Sequence, residues 1–150
     1  MIGDWEYYTG EGRWSPDLNA STRQLHGVAN EFSVTPLDGG YLLLTHDTTT
    51  PLSPDIVGYM GPTPYGPFED KTVLYTTPET GANGTYGSPR VYTHNAHAHT
   101  SVDRGPGGLL VSYNVHAWPL PGEADNANTD EVIGDVTVFR PRFVTIRFGS

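Results

Sequence analysis

The feature that most constrains the fold is an internal repeat. The segment from Glu31 to Asp47 aligns without a gap on the segment from His99 to Val115, at an offset of 68 residues (99 − 31). Each copy contains a Ser-Val pair, a Gly-Gly pair and an apolar run. This pattern predicts a strand, a glycine-rich turn and a second strand that is buried on both faces. The chain is therefore expected to be built from copies of one β-hairpin unit.

The rest of the chain indicates more strands and no helix. It contains 18 Gly and 13 Pro among 150 residues, and no window free of them carries an apolar stripe at helical spacing. Pro36 is expected to end the ladder of its strand because it lacks an N–H. Further strands are predicted at 55–61, 68–77, 135–140 and 143–148. Each repeat then has four antiparallel strands.

Four antiparallel strands per repeat is the plan of a β-propeller blade. The predicted fold class is all-β and β-propeller-like, with about two and a half four-stranded antiparallel blades in one domain. The half blade covers 1–28 and the two full blades cover 29–90 and 91–150. Because a propeller places its innermost strands around a central channel, Glu31 and His99 are expected to face one end of that channel. A partial ring also predicts a partner, either a second copy of the chain or missing N-terminal blades.

Charge and composition exclude several classes of partner. The net charge is −9 and the only lysine is Lys71, so nucleic acid is not expected as a partner. No apolar run approaches the roughly 20 residues of a membrane helix, so no membrane is expected either. The absence of cysteine excludes disulfides. Residues 1–10 show no signal-peptide pattern, and localisation is left open. An acidic, aromatic-rich surface is compatible with a neutral, hydroxyl-rich ligand such as a sugar.

Two segments resemble parts of a known enzyme family. Asn30 to Val34, followed by a Gly turn and Tyr41 to Leu44, is similar to the segment that carries the general-acid Glu in five-bladed propeller glycosidases of family 43 and related kind. His99 to Val102, with Leu109 to Tyr113, resembles a later blade of those enzymes, in which a His opens the inner strand. The resemblance covers roughly residues 4–148 and implies a secreted, carbohydrate-directed hydrolase. It also implies that this chain corresponds to the C-terminal portion of such an enzyme, with blades carrying the base before residue 1.

Glu31 is the candidate general acid. Glycoside hydrolysis requires a carboxylic acid and a second carboxylate on either side of the scissile bond. The partner carboxylate is not identified, and Asp47 is the remaining option. A solvated Glu at the start of a strand is the structural alternative for Glu31.

Other polar and aromatic residues are candidate sugar contacts. His97 and His99 share a face of a regular strand, which suits either a sugar subsite or hydrogen-bonded imidazoles lining a channel. No cofactor is expected, and Ca²⁺ near His99 is the alternative that the family suggests. Asn114 ends a buried strand and Trp118 follows it in a loop.

Arg140 and Arg142 bracket Pro141. An Arg at this place can clamp a carboxylated sugar or pair with an acid such as Glu131 or Asp135. The sequence therefore predicts a glycosidase-like propeller portion that acts on or binds a carbohydrate. The alternatives are a non-catalytic carbohydrate-binding or scaffold module, and a truncated fragment without independent activity.

Overall fold

The computed structural model describes residues 4–149, in which nine strands form three antiparallel sheets. The strands are β1 (Tyr7–Gly10), β2 (Arg13–Ser15), β3 (Val28–Leu37), β4 (Gly40–Asp47), β5 (Asp55–Gly61), β6 (Glu69–Thr76), β7 (Val91–His99), β8 (Gly108–Ala117) and β9 (Arg142–Arg147). The sheet orders are β1-β2, β3-β4-β5-β6 and β7-β8-β9. Within each sheet, strands that are adjacent in sequence pair with each other, as in propeller blades. The predicted fold class, all-β and propeller-like, is confirmed.

The four-stranded sheet follows the predicted first repeat closely. Asp38 and Gly39 form the β3–β4 turn with φ of 48° and 79°. The expectation that Pro36 ends its ladder is wrong, because Pro36 pairs with Tyr41 inside β3. β3 is an edge strand, where a residue without an N–H is tolerated.

The second repeat has three strands in the described part of the chain, not four. The strand predicted over 135–140 is wrong, since Val136–Phe139 forms a 3₁₀ turn and β9 pairs directly with β8. The physical reason is Asp135, whose side chain accepts hydrogen bonds from the Thr137 backbone N–H at 2.9 Å and hydroxyl at 2.6 Å. Such a local bond competes with ladder formation.

The prediction that the chain has no helix is also wrong. A short helix, α1 (Thr129–Gly134), precedes the 3₁₀ turn, and a second 3₁₀ turn covers Leu18–Ala20. The acidic residues Asp130 and Glu131 lie in the first turn of α1, where the helix dipole favours negative charge. Six residues are too few to show the apolar stripe by which a helix is recognised in sequence. Within residues 4–149 no helix has the length and apolar character needed to cross a membrane.

The main core lies between the two larger sheets. Leu42, Leu44 and Ile56 contribute from one sheet, and Val111 and Val115 contribute from the other. The intervening Leu43 points into a second, smaller core with Val57, Tyr59 and Phe68. Because side chains alternate along a strand, the consecutive leucines of β4 serve both cores. The predicted burial of this strand on both faces is confirmed.

The strand registers correct the alignment of the two repeats. Leu42 and Leu110 hold matching places in β4 and β8, and their partners are Thr35 and His99. Those partners, Thr35 and His99, are 64 residues apart (99 − 35). The offset of 68 residues that relates β4 to β8 therefore does not relate β3 to β7. The cause is turn length, with two residues between β3 and β4 and eight between β7 and β8. The equivalence of Glu31 and His99 is therefore wrong.

β3 and β7 are edge strands of neighbouring sheets and run in the same direction. Ser33 accepts a hydrogen bond at its hydroxyl from the Ala98 backbone N–H at 3.0 Å. Glu31, nearer the start of β3, shares a cleft with Tyr92 and His94, nearer the start of β7. The strand starts thus meet at one end of the molecule.

Candidate active site

The candidate site is an open cleft of about 490 Å³ where β3 and β7 begin and β4 ends. Its floor and walls come from three segments that are far apart in sequence. The lining residues include 28–31 of β3, 46–48 at the end of β4, 50–53 of the next loop and 92–94 of β7. The sheet topology brings these segments together.

Glu31 is held in this cleft by a bulge in β3. The pairing of β3 with β4 shifts between Val28 and Phe32, so the chain is longer here than its partner strand. The Thr45 hydroxyl donates to the Glu31 carbonyl at 3.2 Å and accepts from the Ala29 N–H at 3.1 Å. This fixes the backbone of Glu31, while its side chain is exposed to solvent. A bulge is a common way to aim a side chain at a site.

Tyr92 and His94 face Glu31 from the neighbouring sheet. Burial and the Glu31 charge raise the pKa of Tyr92. Burial lowers the pKa of His94, the Glu31 charge opposes this, and His116 adds to the lowering. Burial also lowers the pKa of His116. These rings are therefore uncharged at neutral pH and can exchange hydrogen bonds with hydroxyl groups.

His46 lies beneath the cleft and is only 4% exposed. Its Nε2 is 3.2 Å from the Thr93 hydroxyl, which in turn is 2.7 Å from the Thr77 hydroxyl. Burial, then the neighbouring His94, lower the pKa of His46 to about 4, against a small opposing effect of Asp55. His46 therefore belongs to a neutral, buried hydrogen-bonded layer under the site.

Asp47 places a second carboxylate in the cleft. Lys71 Nζ is 2.9 Å from its Oδ2, and Thr49 donates to its Oδ1 from the backbone N–H at 3.0 Å and from the hydroxyl at 2.8 Å. Burial acts to raise the pKa of Asp47, but the hydrogen bonds from Lys71 and Thr49 outweigh it and the pKa is lowered. Asp47 is thus an ionised carboxylate at neutral pH.

His97 and His99 lie farther along β7, outside the residues that line the Glu31 cleft. A bulge with Asn95 at φ 59° separates them from His94. Register pairs His94 with Asn114 and His97 with Ser112, so all four occupy one face of the sheet. The bulge is the reason that His94 and His97 share a face at a spacing of three.

His99 has close partners on that same face. Its Nε2 is 2.7 Å from the Ser112 hydroxyl, and its ring centroid is 6.4 Å from that of Phe143. No cluster of three or more His, Asp or Glu side chains within the described range 4–149 is arranged to hold a metal ion. The Ca²⁺ considered near His99 stays a prediction.

Arg142 is engaged inside the protein. Its Nε is 3.4 Å from Glu79 Oε1, and it donates to the Tyr86 hydroxyl at 2.6 Å and to the Thr137 carbonyl at 3.0 Å. Its acidic partner is therefore Glu79 rather than Glu131 or Asp135. Arg140 is exposed, and its carbonyl accepts from Arg142 at 3.2 Å.

Trp118 lies in a second cleft of about 700 Å³ that adjoins the first. The side chain is 60% exposed. Pro51 and Leu52 line both clefts. The structure therefore brings Glu31 and Trp118 to the same end of the molecule, and leaves His97 and His99 on the open sheet face.

Sequence reasoning missed Tyr92 as a site residue, and it did not place His94 in the cleft. Their signal was the polar alternation at the start of β7, where Tyr92 and His94 are separated by one residue. The sequence does not show whether β7 is a regular strand, and a bulge changes which side chains share a face.

A family model described as a domain of unknown function, DUF5005, matches residues 1–148. The chain belongs to the DUF5005 family. No curated protein matches this DUF5005 sequence significantly. A crystal structure described as a "putative hydrolase from Bacteroides ovatus ATCC 8483" matches with a TM-score of 0.63 at 22% identity. The match covers 93% of the DUF5005 chain and 35% of that protein, so this chain spans about a third of its length.

At this identity the likeness shows the fold alone. The DUF5005 domain thus shares its architecture with part of that longer protein. Membership of glycosidase family 43, carbohydrate binding and secretion stay predictions.

Proposed function

We propose that this DUF5005 domain binds a carbohydrate in the cleft around Glu31 and hydrolyses a glycosidic bond there. The observation that supports this most is that two carboxylates, Glu31 and Asp47, line one cleft beside the uncharged rings of Tyr92 and His94. Glycosidases use one carboxyl group as a proton donor and one carboxylate as base or nucleophile.

In this proposal the two carboxyl groups have different roles. Asp47 is kept ionised by Lys71, which suits a base or nucleophile. Glu31 makes no ion pair among the described residues and its side chain is exposed, which suits a proton donor that must reach a ligand. As general acid, Glu31 transfers a proton to the glycosidic oxygen while the bond to the anomeric carbon breaks. Asp47 either attacks that carbon, forming a glycosyl ester that water then hydrolyses, or takes a proton from the water that attacks the carbon.

Tyr92 and His94 orient the sugar in this scheme. A phenol and a neutral imidazole each offer one donor and one acceptor, which matches the hydroxyl groups of a pyranose or furanose ring. Their amphipathic ring faces also pack against the C–H faces of sugars.

One observation favours the second candidate, a binding module without catalysis. Lys71 and Thr49 together occupy both oxygens of Asp47, which leaves less capacity for chemistry. This candidate predicts saturable binding of a glycan with no product.

The test is a hydrolysis screen over neutral oligosaccharides with the wild-type chain and with Glu31→Gln. Loss of product formation with retained binding supports catalysis by Glu31. Glycan binding without any product in the wild type supports the binding module. Glu69→Gln is the matched control, because Glu69 is an exposed glutamate at the start of β6.

The ring-closing partner, a second copy or N-terminal blades, stays a prediction. Light scattering on the purified chain tests the second copy directly. A ring of two copies requires twice the 16.3 kDa of one chain, and a monodisperse monomer contradicts it.

A further inference from the structure

The cleft around Trp118 has the properties of a built binding surface. The loop after β8 contributes Trp118, Pro119, Leu120 and Pro121 to the lining of this cleft, and the loop after β4 contributes Leu52. Trp118 is 60% exposed and Leu52 is 45% exposed. Clustered apolar surface of this kind on a soluble protein usually marks an interaction site.

The loop that carries Trp118 is held firmly in place. Arg90 donates to both carboxylate oxygens of Glu123, at 2.9 and 2.6 Å, and the Leu120 N–H donates to the same carboxylate at 2.8 Å. The Trp118 N–H donates to the Arg90 carbonyl at 2.9 Å. Asn128 donates to the carbonyl of Ala117 at 2.7 Å. A platform that is already ordered loses little entropy when it binds a ligand.

The Trp118 cleft is continuous with the cleft around Glu31. Pro51 and Leu52 line both, and Leu52 adopts a φ of 52°, which is uncommon for a bulky residue. Tyr92 of the first cleft stacks on His116 of the second, with ring centroids 5.9 Å apart and planes inclined by 13°. The two clefts therefore adjoin at Pro51 and Leu52, and together they are called the trough.

The charges in this trough exclude an anionic ligand. Arg90 is neutralised by Glu123 at 2.6 Å and Glu131 at 3.0 Å. The charged residues that line the trough are all acidic: Glu31 and Asp47 in the first cleft, and Glu123 and Asp125 in the second. Asp47 pairs with Lys71, which is not a lining residue. No lysine or arginine is among the lining residues of either cleft. The acidic lining disfavours an anion and is compatible with a neutral ligand.

We infer that the trough binds one neutral oligosaccharide, with one sugar unit beside Glu31 and a more distant unit on Trp118. Each cleft has a volume typical of a site for a single small ligand, roughly 300–1,000 Å³. The rings of Tyr92, His116 and Trp118 line the trough, and each offers a flat surface on which a sugar ring can stack. This inference rests on the proposed function for the unit placed at Glu31. The substrate class is therefore an oligosaccharide of several units, not a monosaccharide or disaccharide glycoside.

The experiment measures affinity against ligand length by calorimetry, in the Glu31→Gln background so that no ligand is consumed. The ligands are neutral glucan, xylan, arabinan, mannan and galactan oligosaccharides, from disaccharide to hexasaccharide. The affinity is expected to rise by about tenfold once the ligand spans both clefts, and then to level off. Trp118→Ala should remove this gain, so that the affinity of the variant no longer rises with ligand length. Trp5→Ala is the matched control, since Trp5 is 76% exposed and lines neither cleft.

The outcomes separate this inference from the proposed function. Affinity that does not depend on length, or an equal loss for short and long ligands in Trp118→Ala, overturns the two-cleft inference and leaves hydrolysis at Glu31 standing. No binding of any oligosaccharide overturns both. Binding of a proline-rich peptide at Trp118, without oligosaccharide binding, assigns the cleft to a protein partner and overturns the inference.

Discussion

The hydroxyl of Tyr113 donates to the carboxylate of Glu79, with oxygen distances of 3.2 and 3.1 Å, in the interface between the two larger sheets. Glu79 is 6% exposed, and Arg142 approaches it at 3.4 Å. Burial and the Glu79 charge raise the pKa of Tyr113. These three side chains form a polar network that links β8, β9 and the connection that precedes β7.

Glu79→Ala is expected to destabilise the fold by about 3 kcal/mol, because it leaves Arg142 without its acidic partner and removes the acceptor of Tyr113. Chemical unfolding in urea measures this change. Glu69→Ala, at an exposed site on β6, should change stability by less than about 0.5 kcal/mol. Equal stability of the two variants would show that the network contributes nothing.

Leu44→Ala should destabilise the protein by about 2–5 kcal/mol, since Leu44 is fully buried between the two larger sheets. Thermal unfolding followed by circular dichroism is the measurement. Leu18→Ala is the control, because Leu18 is 59% exposed. A Leu44 variant that melts with the wild type would contradict the packing of the sheets against each other.

Stability is expected to fall below pH 6.5 because of His46. The pKa of His46 is about 4 in the folded protein and 6.5 in the unfolded chain. The unfolded chain therefore binds the proton more tightly. The stabilisation is complete above pH 6.5 and is lost as the pH falls toward 4. At pH 5 the loss is about 2 kcal/mol.

Urea unfolding at pH 7.5 and pH 5 measures this loss. His46→Asn should show a smaller pH dependence, because it lacks the titrating group. His26→Asn, at an exposed site, should behave like the wild type. An unchanged pH dependence in His46→Asn would mean that other groups control acid sensitivity.

Lys71→Met tests the role of Asp47 in the proposed reaction. Removing the cation should raise the pKa of Asp47, since Lys71 supplies its main stabilising hydrogen bond. The acidic limb of the activity profile should then move to higher pH. The fold should also lose stability, because the Asp47 side chain is only 10% exposed and loses its cation. Steady-state rates from pH 3 to pH 8 provide the readout. A profile that does not move would exclude Asp47 as the base or nucleophile.

The sequence predicted the buried strands correctly and for a physical reason. Runs such as Tyr41–Leu44 and Leu109–Val111 have apolar residues on both faces, which predicts a strand buried on both faces. Leu42–Leu44 and Leu109–Val111 are all buried in the structure. The hairpins and the all-β class follow from these runs and from the glycines between them.

The site could be predicted only in part. Glu31 and Trp118 were identified by residue type and position, and both line clefts at one end of the molecule. The pairing of Glu31 with His99 failed because the two turns differ in length and both first strands contain bulges. Sequence alone does not reveal a bulge at Asn95, and so it did not place His94 opposite Glu31. The 3₁₀ turn after Asp135 was missed for a similar reason, since two hydrogen bonds from Thr137 to the Asp135 side chain favour the turn over a strand.

The most direct measurement is glycoside hydrolysis by Glu31→Gln beside the wild type and Glu69→Gln. A general acid typically contributes about 10²- to 10⁴-fold, so the Glu31 variant should lose at least that much in kcat while keeping the fold and ligand binding. Glu69→Gln should retain full activity. Unchanged turnover in Glu31→Gln would contradict hydrolysis at this cleft.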